Sequence, residues 1–144
     1  MTSKREQVLE AVLALIVAAV PHATVKRNAA KPSSIGPGGA VFMRDGDPGE
    51  PDYDLSPITY YYTHKIPIEI AAFPSGVVSK EAAVDTLMAA IGTAIENDRT
   101  LGGLCLFLEP EAPASADIEA TGAAAGLWAD AAIIATYATS NPLT

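Results

Sequence analysis

Cysteine, histidine and basic residues are all scarce in this chain, and each shortage closes off a class of chemistry. The one cysteine, Cys105, cannot build an internal disulfide framework and fits a reducing compartment. With two histidines beside it, the donors for a structural zinc site are too few. Nine lysines and arginines stand against 17 aspartates and glutamates, a net charge of −8. That sign is wrong for a surface that grips phosphates, so no sequence-specific nucleic-acid partner is expected. No apolar run is long enough to span a bilayer, and no membrane partner is expected either. What is abundant is apolar: 49% of the 144 residues are hydrophobic and 18% are charged, the balance of a globular chain. Residues 1–144 are most simply one domain.

The N-terminus imitates a secretory signal, because Lys4 and Arg5 precede the apolar run of residues 11 to 20 and Ala23 offers a small residue. Glu6 and Glu10 interrupt that pattern. Ser3 and Glu6 have the spacing of a capping box, in which each side chain satisfies a backbone N–H at a helix start. Leu9, Val12, Leu13, Ile16 and Val20 then recur at helical intervals as one stripe. The expectation is a structural first helix, stopped by Pro21, with a leader cleaved after Ala23 as the competing reading.

The organising stretch is residues 58 to 73, ITYYYTHKIPIEIAAF. Alternate residues form two rows. Tyr60, Tyr62, His64, Ile66, Ile68, Ile70 and Ala72 read as core-facing. Tyr61, Thr63, Lys65, Pro67, Glu69, Ala71 and Phe73 face solvent or a partner. Pro67 donates no ladder hydrogen bond, which predicts an edge position or a bulge. An imperfect edge of this length is a place for another chain to dock.

Around it, residues 24 to 27, 39 to 44, 104 to 109 and 127 to 138 read as further strands. A second helix starts near Ser79, a good N-cap residue, and runs to about Asn97, with the stripe Val84, Leu87, Met88, Ile91 and Ile95 packing on a sheet. Residues 28 to 38, 45 to 54 and 110 to 126 read as loops from their Pro, Gly, Ser and acidic content. The order α-β-β-β-α-β-β predicts an α+β fold: one mixed, mainly antiparallel sheet of about five strands packed with two helices.

Candidates for chemistry are few. The acidic tract holds Asp45, Asp47, Glu50, Asp52 and Asp54, and clustered carboxylates can bind Ca²⁺ or Mg²⁺. Yet it lacks the EF-hand pattern and carries Pro48 and Pro51, so a solvated loop or a partner contact is the better reading. His64 could act as a general base, but lies in the inward row with no nucleophile motif beside it. Cys105, within LCLFLE, reads as a small core hydrophobe, although spacing alone leaves a Cys–His pair open. Gly36, Gly38 and Gly39 lack the spacing of a phosphate loop. Tyr60, Tyr61 and Tyr62 could stack on bases, but without a basic groove they fit packing and subunit contact.

Several segments together resemble the tail-terminator family, also called the minor tail protein U family, of long-tailed bacteriophages and prophages. They are REQVLEAVLALIVAAV, VFMRDGDPGEPD, YTHKIPIEIAAF followed by AAVDTLMAAIGTAIENDRTLGGL, and the closing AGLWADAAIIATYAT. The resemblance covers most of the chain and rests on order and texture, not on catalytic residues. It implies a structural protein with no cofactor, no catalytic site and no metal site. Such a protein would form a ring, typically a hexamer, that caps the tail tube, stops its polymerisation and offers the surface for head joining. Its partners would be copies of itself, the tail tube protein and a head-completion or connector protein. It would assemble in the bacterial cytoplasm and end in the virion tail. The candidate contacts are then Tyr61, Lys65 and Glu69 of the outward row, with Asp45, Asp47, Glu50, Asp52 and Asp54. A negative channel wall would let DNA slide past without sticking. The alternatives are another head–tail joining or minor tail protein, or a small enzyme or ligand-binding domain using His64 and Cys105.

Overall fold

In the computed structural model, which describes residues 2–30, 35–118 and 126–144 (only the backbone for 115–118), the first helix is α1, Lys4–Ala19. Ser3 caps it, its hydroxyl accepting from the Glu6 N–H at 3.2 Å. The capping box is realised by half. Glu6 turns its carboxylate to Arg27 instead, because a partly buried guanidinium is a stronger partner than a backbone N–H. Val8, Leu9, Val12 and Ile16 are buried along the helix.

Four strands follow: β1 (Thr24–Arg27), β2 (Ala40–Met43), β3 (Asp52–Leu55) and β4 (Ile58–Ala72). Helix α2, Lys80–Asn97, starts at Ser79, whose hydroxyl accepts from the Ala82 N–H at 3.1 Å. Strands β5 (Phe107–Ile118) and β6 (Gly126–Thr139) complete a sheet of order β1-β2-β4-β6-β5, with β3 pairing on β4. Only β1 and β2 run parallel; the other pairs are antiparallel. The fold is α+β with a mixed sheet. Among the described residues no helix is long and apolar enough to cross a membrane.

Both helices contribute to one core with the inward row of β4. Ile66, Ile68 and Ile70 meet Val12, Ile16, Ile91 and Ile95 in that cluster, and Ile133, Ala135 and Tyr137 of β6 join it. Among the described residues the opposite face of the sheet carries no helix. Ala29, Ala30, Ile35 and Gly36 border a shallow hollow with Thr24, Lys26, Ala40 and Phe42 at its β1–β2 end. Phe42 stacks on Trp128 there, with ring centroids 5.7 Å apart.

Three expectations are corrected. Among the described residues the sheet has six strands, since residues 52–55 form β3, a hairpin partner of β4. Strand β5 starts at Phe107 and runs to Ile118, so residues 110–118 are strand rather than loop, paired along β6 with an irregularity between Glu111 and Ala114. Residues 31–34 and 119–125, within two of the expected loops, lie outside the described residues.

Strand β4 is not an edge. It is flanked by β6 along its length, from Tyr60↔Thr139 to Ala72↔Leu127, and by β3 and β2 on the other side. Pro67 is tolerated because it stands where β2 leaves the ladder. The last β2 pair is Met43↔Ile68, and the Arg44 N–H still donates to the Pro67 carbonyl at 2.9 Å. Pro67 has no N–H to return the bond, and the chain turns away through Gly46. Gly46 has φ +67°, and a Cβ there would meet the Lys65 carbonyl oxygen at 2.2 Å, so no other residue could make this crossing without displacing β4.

Candidate functional site

The acidic tract divides into a pinned part and an exposed part. Asp45 is pinned: its oxygens accept from Arg27 Nε at 2.6 Å and Nη2 at 2.9 Å. The rest of the same guanidinium clamps Glu6 at 2.5 and 2.8 Å, so one side chain ties α1, β1 and the loop after β2 together. Arg5 adds a longer contact to Asp45 at 3.9 Å. The hydrogen bonds to Arg27 hold the carboxyls of Glu6 and Asp45 below their ordinary range, outweighing burial, and keep Arg27 charged.

Beneath Asp45 sits His64, fully buried. Its Nε2 is 2.6 Å from the Asp45 carbonyl oxygen and its Nδ1 is 3.0 Å from the Tyr137 hydroxyl. A carbonyl only accepts, so Nε2 carries the proton and Tyr137 donates to Nδ1. Burial lowers the histidine pKa and pushes the Tyr137 hydroxyl up to about 12. Both groups are therefore neutral at pH 7. The imidazole acts as a peg that fastens the Asp45 backbone to the sheet.

Cys105 is buried elsewhere, its thiol directed to the Arg99 carbonyl at 3.8 Å, and burial pushes the thiol pKa up. Each group of the suspected Cys–His pair is engaged separately: both His64 nitrogens already have partners, and the thiol is shifted away from the reactive thiolate.

The remaining acidic residues point outward. Asp47 accepts from the Gly49 N–H at 2.8 Å, and its backbone bridges Lys65. Glu50 and Asp52 are exposed. Asp54 accepts from the Tyr61 hydroxyl at 3.0 Å, which raises the Tyr61 pKa. Among the described residues no group of three or more His, Cys, Asp or Glu side chains is arranged to hold a metal ion.

The outward row of β4 stands on the face that carries no helix among the described residues. Lys65 is exposed and pairs with Glu111 of β5 at 2.8 Å. Glu69 lies 3.6 Å from Arg44, and its second oxygen is buried without a hydrogen-bond partner. It also lies directly opposite Asp130 of β6, a like-charge pair that favours a nearby cation. Tyr61 is partly buried, and Thr63 is exposed. Sequence reasoning brought Tyr61, Lys65 and Glu69 to one face correctly by alternation. It missed Arg27 as the hub of Glu6 and Asp45, since those three lie far apart in the chain and no local pattern joins them.

Large apolar side chains are also exposed at the hairpin end of the sheet, with Tyr53, Leu55 and Ile58 on its helix side. Tyr53 and Leu55 of β3, Ile58 at the start of β4, Leu106, Phe107 and Leu143 are all exposed, and all lie toward the N-terminal half of β4. Arg99 covers one side of Phe107, its guanidinium 5.1 Å from the ring centre. Compared with known proteins, the chain matches no protein-family model and no curated protein.

Proposed function

We propose that this chain is a non-enzymatic assembly protein: a ring-forming tail terminator of a phage or prophage. It caps the tail tube, stops tube polymerisation and presents the surface to which a head-completion or connector protein joins. The reading rests on the segment resemblance. The observation that carries it furthest is the sheet face without a helix, where Tyr61, Lys65 and Glu69 stand together beside Glu111. Exposed apolar residues at the hairpin end of the sheet, bordered by this charged and polar row, have the make-up of a protein–protein contact with a polar rim. The work is done by shape and charge complementarity, with no turnover and no cofactor. One contact between unlike patches, repeated, closes a ring. The protein would assemble in the host cytoplasm and remain in the virion tail.

The test is solution mass by light scattering, with and without Mg²⁺, followed by addition to growing tail tubes. A closed oligomer near six times 14.9 kDa that arrests tube growth is the expected result. A strict monomer that leaves tube length unchanged overturns the proposal.

A further inference from the structure

An apolar projection and an apolar groove lie at opposite corners of the sheet. The projection is the tip of the β3–β4 hairpin. Leu55 is 74% exposed and Ile58 45%, and they are cross-strand partners, so their side chains sit together. Ile58 shares the strand parity of Ile66 and Ile68, which places the pair on the helix side of the sheet.

The groove opens on that same side, between α2 and the irregular part of β5. Its volume is about 340 Å³, with Met88, Ile91 and Gly92 on the helix wall, Ala131 as floor, and Pro110 and Pro113 at the rim. It sits beside Ile68 and Ile70 of β4, some ten residues from the hairpin tip, or roughly 33 Å at the rise of a strand. The hairpin lies on the β2 flank of β4 and the groove toward its β6–β5 flank, so one chain cannot fill its own groove.

We infer that Leu55 and Ile58 of one copy insert into this groove on the next copy, as the repeating contact of the oligomer. The inference rests on the ring reading and names its interface. The occupant is a second copy because the chain itself supplies both the exposed knob and the apolar hole. Contact between two such different patches is heterologous, the type that generates a ring when its rotation closes. The neighbouring β5 edge does not favour strand addition, because Pro110 and Pro113 have no N–H to offer an incoming strand. Side-chain insertion is the mode left at this corner. Seating two aliphatic side chains in an apolar groove removes their surface from water, which favours association.

The full-length chain is tested with three variants. Leu55→Asp puts a charge on the knob. Gly92→Leu fills the hole, where a Cβ meets nothing within 4 Å and the helix accepts the larger residue. Each is expected to weaken self-association by about tenfold or more in sedimentation velocity, with an unchanged circular dichroism spectrum. Ile58→Cys combined with Ala112→Cys, treated with a short bismaleimide, is expected to give a ladder of covalent multimers, while Cys105 stays buried and unreactive. If the oligomer survives both single variants and no ladder forms, the ring reading stands and this interface falls. If the wild-type chain is monomeric both free and with tail tubes, both fall. A monomer carrying a small apolar molecule in the groove, seen by native mass spectrometry, also overturns the inference.

Discussion

On the helix side of β4, Ile66, Ile68 and Ile70 are buried among side chains from α1, α2 and β6; on the other side Thr63 and Lys65 reach solvent, and Lys65 has Glu111 for company. The two rows belong to one strand and differ only in parity. The helix-side row therefore holds the core, while the other leaves Thr63 and Lys65 at the surface. Between them lies an intermediate case, the Arg27–Glu6–Asp45 cluster, where charges are partly buried and shared by three elements. Burial, not residue type, ranks what each contributes.

The largest effect is expected for Ile66→Ala, which leaves a cavity among fully buried neighbours and should cost about 2–5 kcal/mol in urea unfolding. A cost close to that of a surface change would break the comparison outright. Arg27→Ala comes next, at about 1–3 kcal/mol, because it strands two partly buried carboxylates at once. Arg27→Lys should recover only part of this, since an ammonium cannot repeat the two-sided fork.

A pH series sharpens the same contrast. His64 is held neutral in the fold, whereas the unfolded ring takes up a proton near its ordinary value of 6.5. The unfolded state then binds more protons, so stability is expected to fall as pH drops below about 6.5. His64→Gln should flatten that slope whatever it does to the plateau. Glu6 and Asp45 are depressed from 4.5 and 3.8, so their contribution is present above those values and is lost as pH falls through the lower, folded pKa values. Arg27→Ala should remove this second, more acidic decline. The smallest effect is expected for Lys65→Ala, about 0–1 kcal/mol, because the pair with Glu111 is exposed and screened.

Much of the fold was legible in the sequence where a period of 2 or 3.6 met a buried face. The alternation of residues 58 to 73 placed Ile66, Ile68, Ile70 and His64 inside. Ser79 marked the neighbourhood in which α2 starts. Strand β3 was hidden because DYDL is short, half acidic and fully exposed, so it has no buried face to imprint a pattern. Its one usable signal was the two-residue spacing, Ser56-Pro57, between it and ITYY. The second half of β5 was hidden by PEAPASAD, a poor strand composition that pairs because β6 offers a long partner. At the candidate surface, alternation brought the outward residues together, but the Arg27 hub depends on tertiary contacts that no spacing encodes.

Pro67 and Gly46 let a single stretch of chain serve the same flank of β4 twice, first as β2 and then as β3. The crossing is fastened at Arg44, Asp45 and Asp47, but Gly49 and Glu50 are exposed. Lengthening a flexible loop there costs only about 0.6 kcal/mol per doubling of its length. The bend is thus a natural port for a grafted epitope or fluorescent reporter, carried on the sheet without altering either row of β4.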